Sequence, residues 1–243
     1  MPPPPAPDPG QDLRTAIRGA LAAAADPERA AGQQRYMKSA MPFRGLTSPV
    51  LKATLRPLLA DPALALPDRS TWEAAIRDLW DGAEFREERY AAIALARHRR
   101  YAGWAAEPAA LHMYRHLVET GAWWDLVDDV AAHLVGAVLR AHPAEGGAHM
   151  RTWAVDDHLW VRRTAILSQL KSKAGTDTDL LADCIGANLA GSRHGHEFFI
   201  RKAIGWALRE YAKTDAAWVR AYVEAAGSTL APLSRREALE HLG

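Results

Sequence analysis

Residues 123–135 read WWDLVDDVAAHLV, and the first of these residues keeps a beat through the chain. Trp123 is answered by Phe85 before it and by Trp160 and Phe198 after it, at gaps of 38, 37 and 38 residues. Each aromatic opens an apolar stretch with helical spacing. A second marker comes six residues after Phe85 and five after the others, at Ala91, Asp128, Ala165 and Ala203. Alanine suits a close helix-to-helix contact, so three slots read as packing positions and one as a carboxylate in a packing position. A helical period near 37 residues predicts stacked helix pairs, each burying its apolar face against its neighbours. The predicted class is all-α: a helical-repeat solenoid, or α-α superhelix, with a concave inner wall.

Composition agrees. Helix formers recur throughout the 243 residues, and alternating strand patterns of useful length are missing. No apolar run approaches the ~20 residues that cross a bilayer, so no membrane partner is expected. The opening MPPPPAPDPG has neither a basic region nor an apolar core, and residues 1–11 are expected to form a disordered, Pro-rich tail. Residues 12–243 are expected to form a single domain. One cysteine, Cys184, excludes an internal disulfide and fits a reducing, cytoplasmic location. The net charge is only +1, but Arg29, Arg35, Lys38, Arg44, Lys52 and Arg56 fall between residues 29 and 60 with no acidic residue among them. That stretch is either an ordinary solvated face or a surface that tracks phosphates.

Element boundaries follow from caps and breakers. A first helix is predicted over Asp12–Ala25, a second over Arg29–Lys38, and a third from Ser48-Pro49, with the serine as cap. Ser70 or Thr71 is expected to cap WEAAIRDLWDG, whose Trp72, Ile76, Leu79 and Trp80 share a face. The segments HPAEGGAH and AGTDTD read as turns. Ser234 and Glu237 stand in capping-box register. Ala53, 38 residues before Ala91, suggests that SPVLKATLRPLL is an earlier copy of the repeat, for five or six helix pairs in all.

Asp128 is the candidate for chemistry. Trp124 precedes it by four residues on the same helix face. Trp206 lies three residues after Ala203, and Arg163 two before Ala165, with Arg89 and Arg201 at matching places. Equivalent positions in a solenoid line one wall, so Trp124, Asp128, Arg163 and Trp206 are expected to share it. Tryptophan faces and a carboxylate favour a cation, while arginines favour phosphate. Nucleic acid carrying an N-alkylated, cationic purine meets both demands. Trp206 and Trp123 equally admit a packing role, and Arg162–Arg163 a pairing with Asp156–Asp157. The ten histidines are scattered, so no metal and no cofactor is expected.

The segments YMKSAMPFRG, LWDGAEFREERYAA, WWDLVDDVA, DDHLWVRRTAILSQL, EFFIRKAIGWALREYAKT and LAPLSRREAL together resemble the DNA alkylation repair family of HEAT-like repeat proteins, the AlkD-type alkylpurine DNA glycosylases. They span Tyr36 to Leu239. The resemblance implies a basic concave surface that cradles double-stranded DNA containing alkylated purines, acting as a monomer without an obligate protein partner. It places the family's functional tryptophans on Trp124 and Trp206, its aspartate on Asp128 and its arginine on Arg163. DNA contacts are expected at Tyr36, Lys38, Arg44, Arg201, Arg209 and Lys213. HPAEGGAHM and the GSRHGH turn depart from the family pattern, and the Pro-rich start is additional to it.

Alkylation at N3 or N7 makes the purine a cationic leaving group, as in 3-methyladenine and 7-methylguanine. Hydrolysis of its N-glycosidic bond then needs no general acid for the base. Asp128 is expected to stabilise the oxocarbenium sugar and position water, with the two indoles flanking the nucleotide. The alternatives are a non-catalytic protein that binds damaged or unusually shaped DNA, and a protein-binding helical scaffold.

Overall fold

A computed structural model describes residues 9–242, which gather into two compact units dividing between Ala102 and Gly103. Among the described residues every regular element is helical, and no helix is long and apolar enough to cross a membrane.

The first unit holds α1 (Pro9–Ala23), α2 (Pro27–Met37), α3 (Ser48–Ala60), α4 (Arg69–Asp81) and α5 (Arg86–Ala96). Pro9 to Gln11 were expected in the tail, but they form the first turn of α1, where a proline loses no hydrogen bond. The rest of the expected tail lies outside the described residues. Leu13, Ile17 and Leu21 recur every four residues and are buried against α3 and α4. Trp72, Ile76, Leu79 and Trp80 of α4 are fully buried on the face their spacing predicted. The cap of α4 is Asp68, rather than Ser70 or Thr71, accepting from the Thr71 N–H at 2.8 Å and from the Ser70 hydroxyl at 2.7 Å. A carboxylate reaches back to the N3 amide better than the serine that follows it. Thr47, rather than Ser48, is the N-cap residue of α3.

Two buried glutamates of α5 hold the loop between α2 and α3. Glu87 accepts from the backbone N–H groups of Arg44 (2.9 Å), Gly45 (2.9 Å) and Leu46 (3.2 Å). Glu88 pairs with Arg18 at 3.0 Å and Arg44 at 3.5 Å. Gly45 has φ +89, and a Cβ there would lie 2.0 Å from the Asp26 carbonyl oxygen, so only glycine fits. Segments PFRG and REE, far apart in sequence, are thus two halves of one anchor.

The second unit follows from the short α6 (Ala102–Ala105) at the division: α7 (Leu111–Gly121), α8 (Trp124–Asp129), α9 (Gly136–Ala141), α10 (Pro143–Ala154), α11 (Leu159–Leu167), α12 (Thr178–Gly186), α13 (Phe198–Ala212), α14 (Ala216–Ala226) and α15 (Pro232–Leu239). Helix α11 is central, packed on α7, α8, α10, α12 and α13, and α13 packs in turn on α15. A π-helical stretch, Val130–Val135, joins α8 to α9, with the Gly136 N–H donating to the Ala131 carbonyl. The aromatic beat marks helix starts: Phe85 and Trp123 are N-cap residues, Phe198 opens α13, and Trp160 is the second residue of α11. Ala91, Ala165 and Ala203 are buried as packing residues.

Three expectations fail locally. Ala53 is exposed, so the proposed earlier copy lacks the packing slot. HPAEGGAH is not a turn: from Pro143 it belongs to α10, where a Cβ on Gly146 would lie 3.0 Å from the Leu139 Cα. Close approach of α9 outweighs the weak helix propensity of glycine there. Ser234 and Glu237 do not form a capping box: Ser234 donates to the Arg201 carbonyl at 2.8 Å, while Glu237 pairs with Lys202 (2.9 Å) and Arg209 (2.8 Å). The aromatic cluster itself is completed by Phe199, the neighbour of Phe198, whose ring lies 5.3 and 4.9 Å from those of Trp123 and Trp160.

Candidate active site

Helix α7 ends at Ala122 in the left-handed region (φ +39), and Trp123 then runs extended before α8 begins at Trp124. That reversal aims the second turn of α8 at α11. Asp128 and Arg163, 35 residues apart, meet as a two-pronged pair: Nε donates to Oδ1 at 2.7 Å and Nη2 to Oδ2 at 2.8 Å. Their side chains keep only 14% and 5% exposure. Arg163 Nη1 donates in addition to the Phe199 carbonyl. The guanidinium stands 5.9 Å from the ring centroids of both Trp160 and Phe199. Trp160 of the aromatic beat and Phe199, one residue off it, therefore seat one arginine, and the arginine holds one carboxylate. Burial pushes the Asp128 carboxyl above the usual carboxylate range, the two bonds from Arg163 draw it back, and the nearby charges of Asp125 and Asp129 add to the rise.

A cavity of about 230 Å³ opens beside this pair. Asp128, Asp129, Ala132 and His133 line it from α8 and the π stretch, Leu170 and Lys171 from the turn after α11, and Trp206 and Glu210 from α13. Asp128 and Trp206 thus share one wall, with Arg163 behind. Trp124, one helical turn before Asp128, is half-buried and does not line the cavity. A second cavity of about 260 Å³ shares Leu170 and Glu210 with the first and has Ile166, Leu181, Tyr211 and Lys213 in its wall. Among the described residues, no group of three or more His, Cys, Asp or Glu is placed to hold a metal ion. Arg162 does not pair with the Asp156 carboxylate: it donates to the carbonyls of Asp156 and Val155, while Arg115 takes that carboxylate at 2.8 Å.

The residues expected at DNA differ in availability. Tyr36 is 77% exposed, and Lys38 beside it is exposed in the left-handed region (φ +50). Among the described residues, Arg35, Lys38, Lys52 and Arg56 have no ion-pair partner, and all are exposed. Arg44 instead turns inward, 3.9 Å from the Phe85 ring and paired with Glu88. In the second unit, Arg201 donates to the Gly195 carbonyl at 3.1 Å, Lys213 pairs with Glu210 at 2.6 Å while remaining largely exposed, and Arg209 is held by Glu237 and Glu240.

Sequence reasoning missed Asp129, His133, Lys171 and Glu210. The spacing of four between Asp129 and His133 was the one signal available. The π stretch carried none, though Gly136 marks it: a Cβ there would lie 2.6 Å from the Ser168 carbonyl oxygen. Such widened turns often accompany functional side chains.

Comparison with known proteins bears on the fold and the family. No curated protein matches the chain. Among solved structures, one described as "Predicted DNA alkylation repair enzyme from Enterococcus faecalis" is 29% identical, with a TM-score of 0.77, covering 90% of this chain and 97% of its own. The shared architecture is the all-α helical-repeat fold of DNA alkylation repair proteins. The family model for DNA alkylation repair enzymes matches residues 17–242. The chain belongs to the DNA alkylation repair enzyme family, whose partner is DNA.

Proposed function

We propose that the protein is a DNA glycosylase that hydrolyses the N-glycosidic bond of cationic N3- and N7-alkylated purines, 3-methyladenine and 7-methylguanine among them, in duplex DNA. The observation that carries this is the buried Asp128 carboxylate, held through both oxygens by Arg163 and lining one cavity with Trp206. An alkylated purine leaves as a neutral base, so the enzyme's task is the positive charge forming on the sugar. A fixed carboxylate in a water-poor wall favours that charge without reorganising during the reaction. The Trp206 face favours the same sign. Trp124, outside the cavity wall, flanks the nucleotide from the first turn of α8. Arg163 acts through Asp128 by holding its orientation. Exposed Tyr36 and Lys38 in the first unit, and exposed Lys213 with half-buried Arg201 in the second, supply DNA contacts, while Arg44 and Arg209 are already paired with carboxylates.

The test incubates methylated duplex DNA with the protein and measures free bases. Wild type should release 3-methyladenine and 7-methylguanine. Asp128→Asn should slow release by at least ~10²-fold while sparing affinity for duplex DNA, because the lost charge acts mainly in the transition state. Tight binding with no base released by the wild type would overturn the proposal in favour of a non-catalytic DNA binder.

A further inference from the structure

Two carboxylates besides Asp128 line the cavity, those of Asp129 and Glu210. Such a wall suits a cationic base and sugar, but it repels the phosphates on either side of the nucleotide that brings them. Arg163 answers Asp128 from behind, and Lys213 answers Glu210 from the adjoining cavity. Among the described residues, Lys171 is the one lysine or arginine that lines the cavity itself. It is exposed and has no ion-pair or side-chain hydrogen-bond partner among them. Lys173 is likewise exposed and unpaired among the described residues, and it lines the adjoining cavity. The two cavities share Leu170 and Glu210, so a strand passing from one to the other crosses this turn.

The turn is built to keep its shape. Gln169 and Leu170, just before Lys171, are buried. The Gln169 side chain donates to the Asp177 carbonyl at 2.9 Å and accepts from the Asp177 N–H at 2.8 Å, which ties the two ends of the turn together. Inside it, the Ser172 N–H donates to the Gln169 carbonyl at 2.9 Å and the Thr176 N–H to the Lys173 carbonyl at 3.1 Å. Lys173 itself has φ +51, a conformation that favours glycine, yet the position carries a long cationic side chain. A backbone already fixed in this way presents two ammonium groups without further ordering when a ligand arrives.

We propose that the turn Lys171-Ser172-Lys173 is a phosphate clamp for the strand that carries the lesion. Lys171 holds a phosphate flanking the damaged nucleotide and so sets C1′ against Asp128, while Lys173 holds the next phosphate along, over the adjoining cavity. Its effect on rate rests on the glycosylase reading above, and its effect on DNA affinity does not. A lysine suits the task, because a point charge on a flexible stem tracks phosphate without reading the base. The clamp makes and breaks no covalent bond. It offsets the repulsion from the carboxylate wall and fixes which nucleotide faces Asp128.

The experiment uses duplexes with one 7-methylguanine and a neutral methylphosphonate in place of one phosphate at a time beside it. Base release in single turnover is followed for wild type, Lys171→Gln, Lys171→Arg and Lys173→Gln. On the natural backbone Lys171→Gln should be slower by ~10-fold or more, about the worth of one hydrogen bond to a charged group, and Lys171→Arg should recover most of the loss. In wild type, one methylphosphonate next to the lesion should slow release by a similar factor. Lys171→Gln should be indifferent to that substitution and still respond to the others, and Lys173→Gln should show the same indifference at the neighbouring phosphate. Affinity for the same backbones around a tetrahydrofuran abasic analogue should follow this pattern, and the slope of log K against log salt should fall by about 0.9 for each lysine removed. A merely structural lysine would not change a response tied to one phosphate. Wild-type release by Lys171→Gln, or a loss equal on every backbone, would overturn the clamp. No release by wild type would overturn the glycosylase reading alone, and the affinity pattern would then decide the clamp by itself.

Discussion

Replacing Arg163 by methionine should destabilise the protein strongly at neutral pH and less strongly in acid. Methionine keeps much of the stem packed against Trp160 and Phe199 but removes the guanidinium from a carboxylate with 14% exposure. Breaking a buried ion pair by removing one partner costs about 3–5 kcal/mol, since the remaining charge is left uncompensated. With a urea slope of ~2–3 kcal/mol per molar, the midpoint should fall by about 1–2 M at pH 7.5. The pH dependence follows from Asp128. Its carboxyl sits above the usual range in the folded protein, burial being the first cause and Arg163 the main opposing one. The folded state therefore keeps the proton to higher pH than the unfolded chain. Stability from this group is greatest in acid and is lost as pH rises through the raised value. Without Arg163 the carboxyl rises further, so the lost stability should shrink between pH 7.5 and pH 5. Adding Asp128→Asn should recover at least ~1.5 kcal/mol, the coupling expected of directly bonded residues. Equal loss at both pH values, or strictly additive effects in the double variant, would refute the account of a buried ionised pair.

Two further outcomes test the packing. Glu87→Gln leaves one fewer acceptor for the three backbone amides of residues 44–46 and should cost roughly 1–3 kcal/mol, read as a lower urea midpoint with faster amide exchange confined to that loop. Phe199→Ala should cost about 3 kcal/mol or more, because it empties the ring cluster with Trp123 and Trp160; Phe198→Ala, at a side chain 58% exposed, should cost less than ~1 kcal/mol in the same titration.

Some of this was legible beforehand for definite reasons. The aromatic beat and its alanine partners recur because each marks a helix entry and a close helix contact, both of which demand particular side-chain shapes. Spacing could not separate Phe198 from Phe199: adjacent residues at a helix start differ by about 100° around the axis, and the exact start decides which one faces the cluster. The glycine pair in HPAEGGAH was misjudged because local propensity says turn, while the approach of Leu139 to Gly146 rewards the absence of a side chain. Asp128 was visible as an exception to its own pattern. Its bond to Arg163 was not, since two residues on different helices meet only through tertiary packing.

The exception itself bears on function. Alanine fills the equivalent slot in three places and is buried in each, so the fold does not need a carboxylate there. A buried ion pair is at best neutral for stability against apolar residues of similar size. Here it also engages the Phe199 carbonyl and two ring faces to keep one guanidinium in place. That investment of packing yields a carboxylate whose position is fixed and whose open side meets a cavity shared with Trp206. A scaffold or a passive phosphate binder gains nothing from it, and the anion would repel phosphate. A site where positive charge must appear on a nucleoside gains a pre-set counter-charge, which is why the deviation from the repeat, rather than the repeat, carries the proposed chemistry.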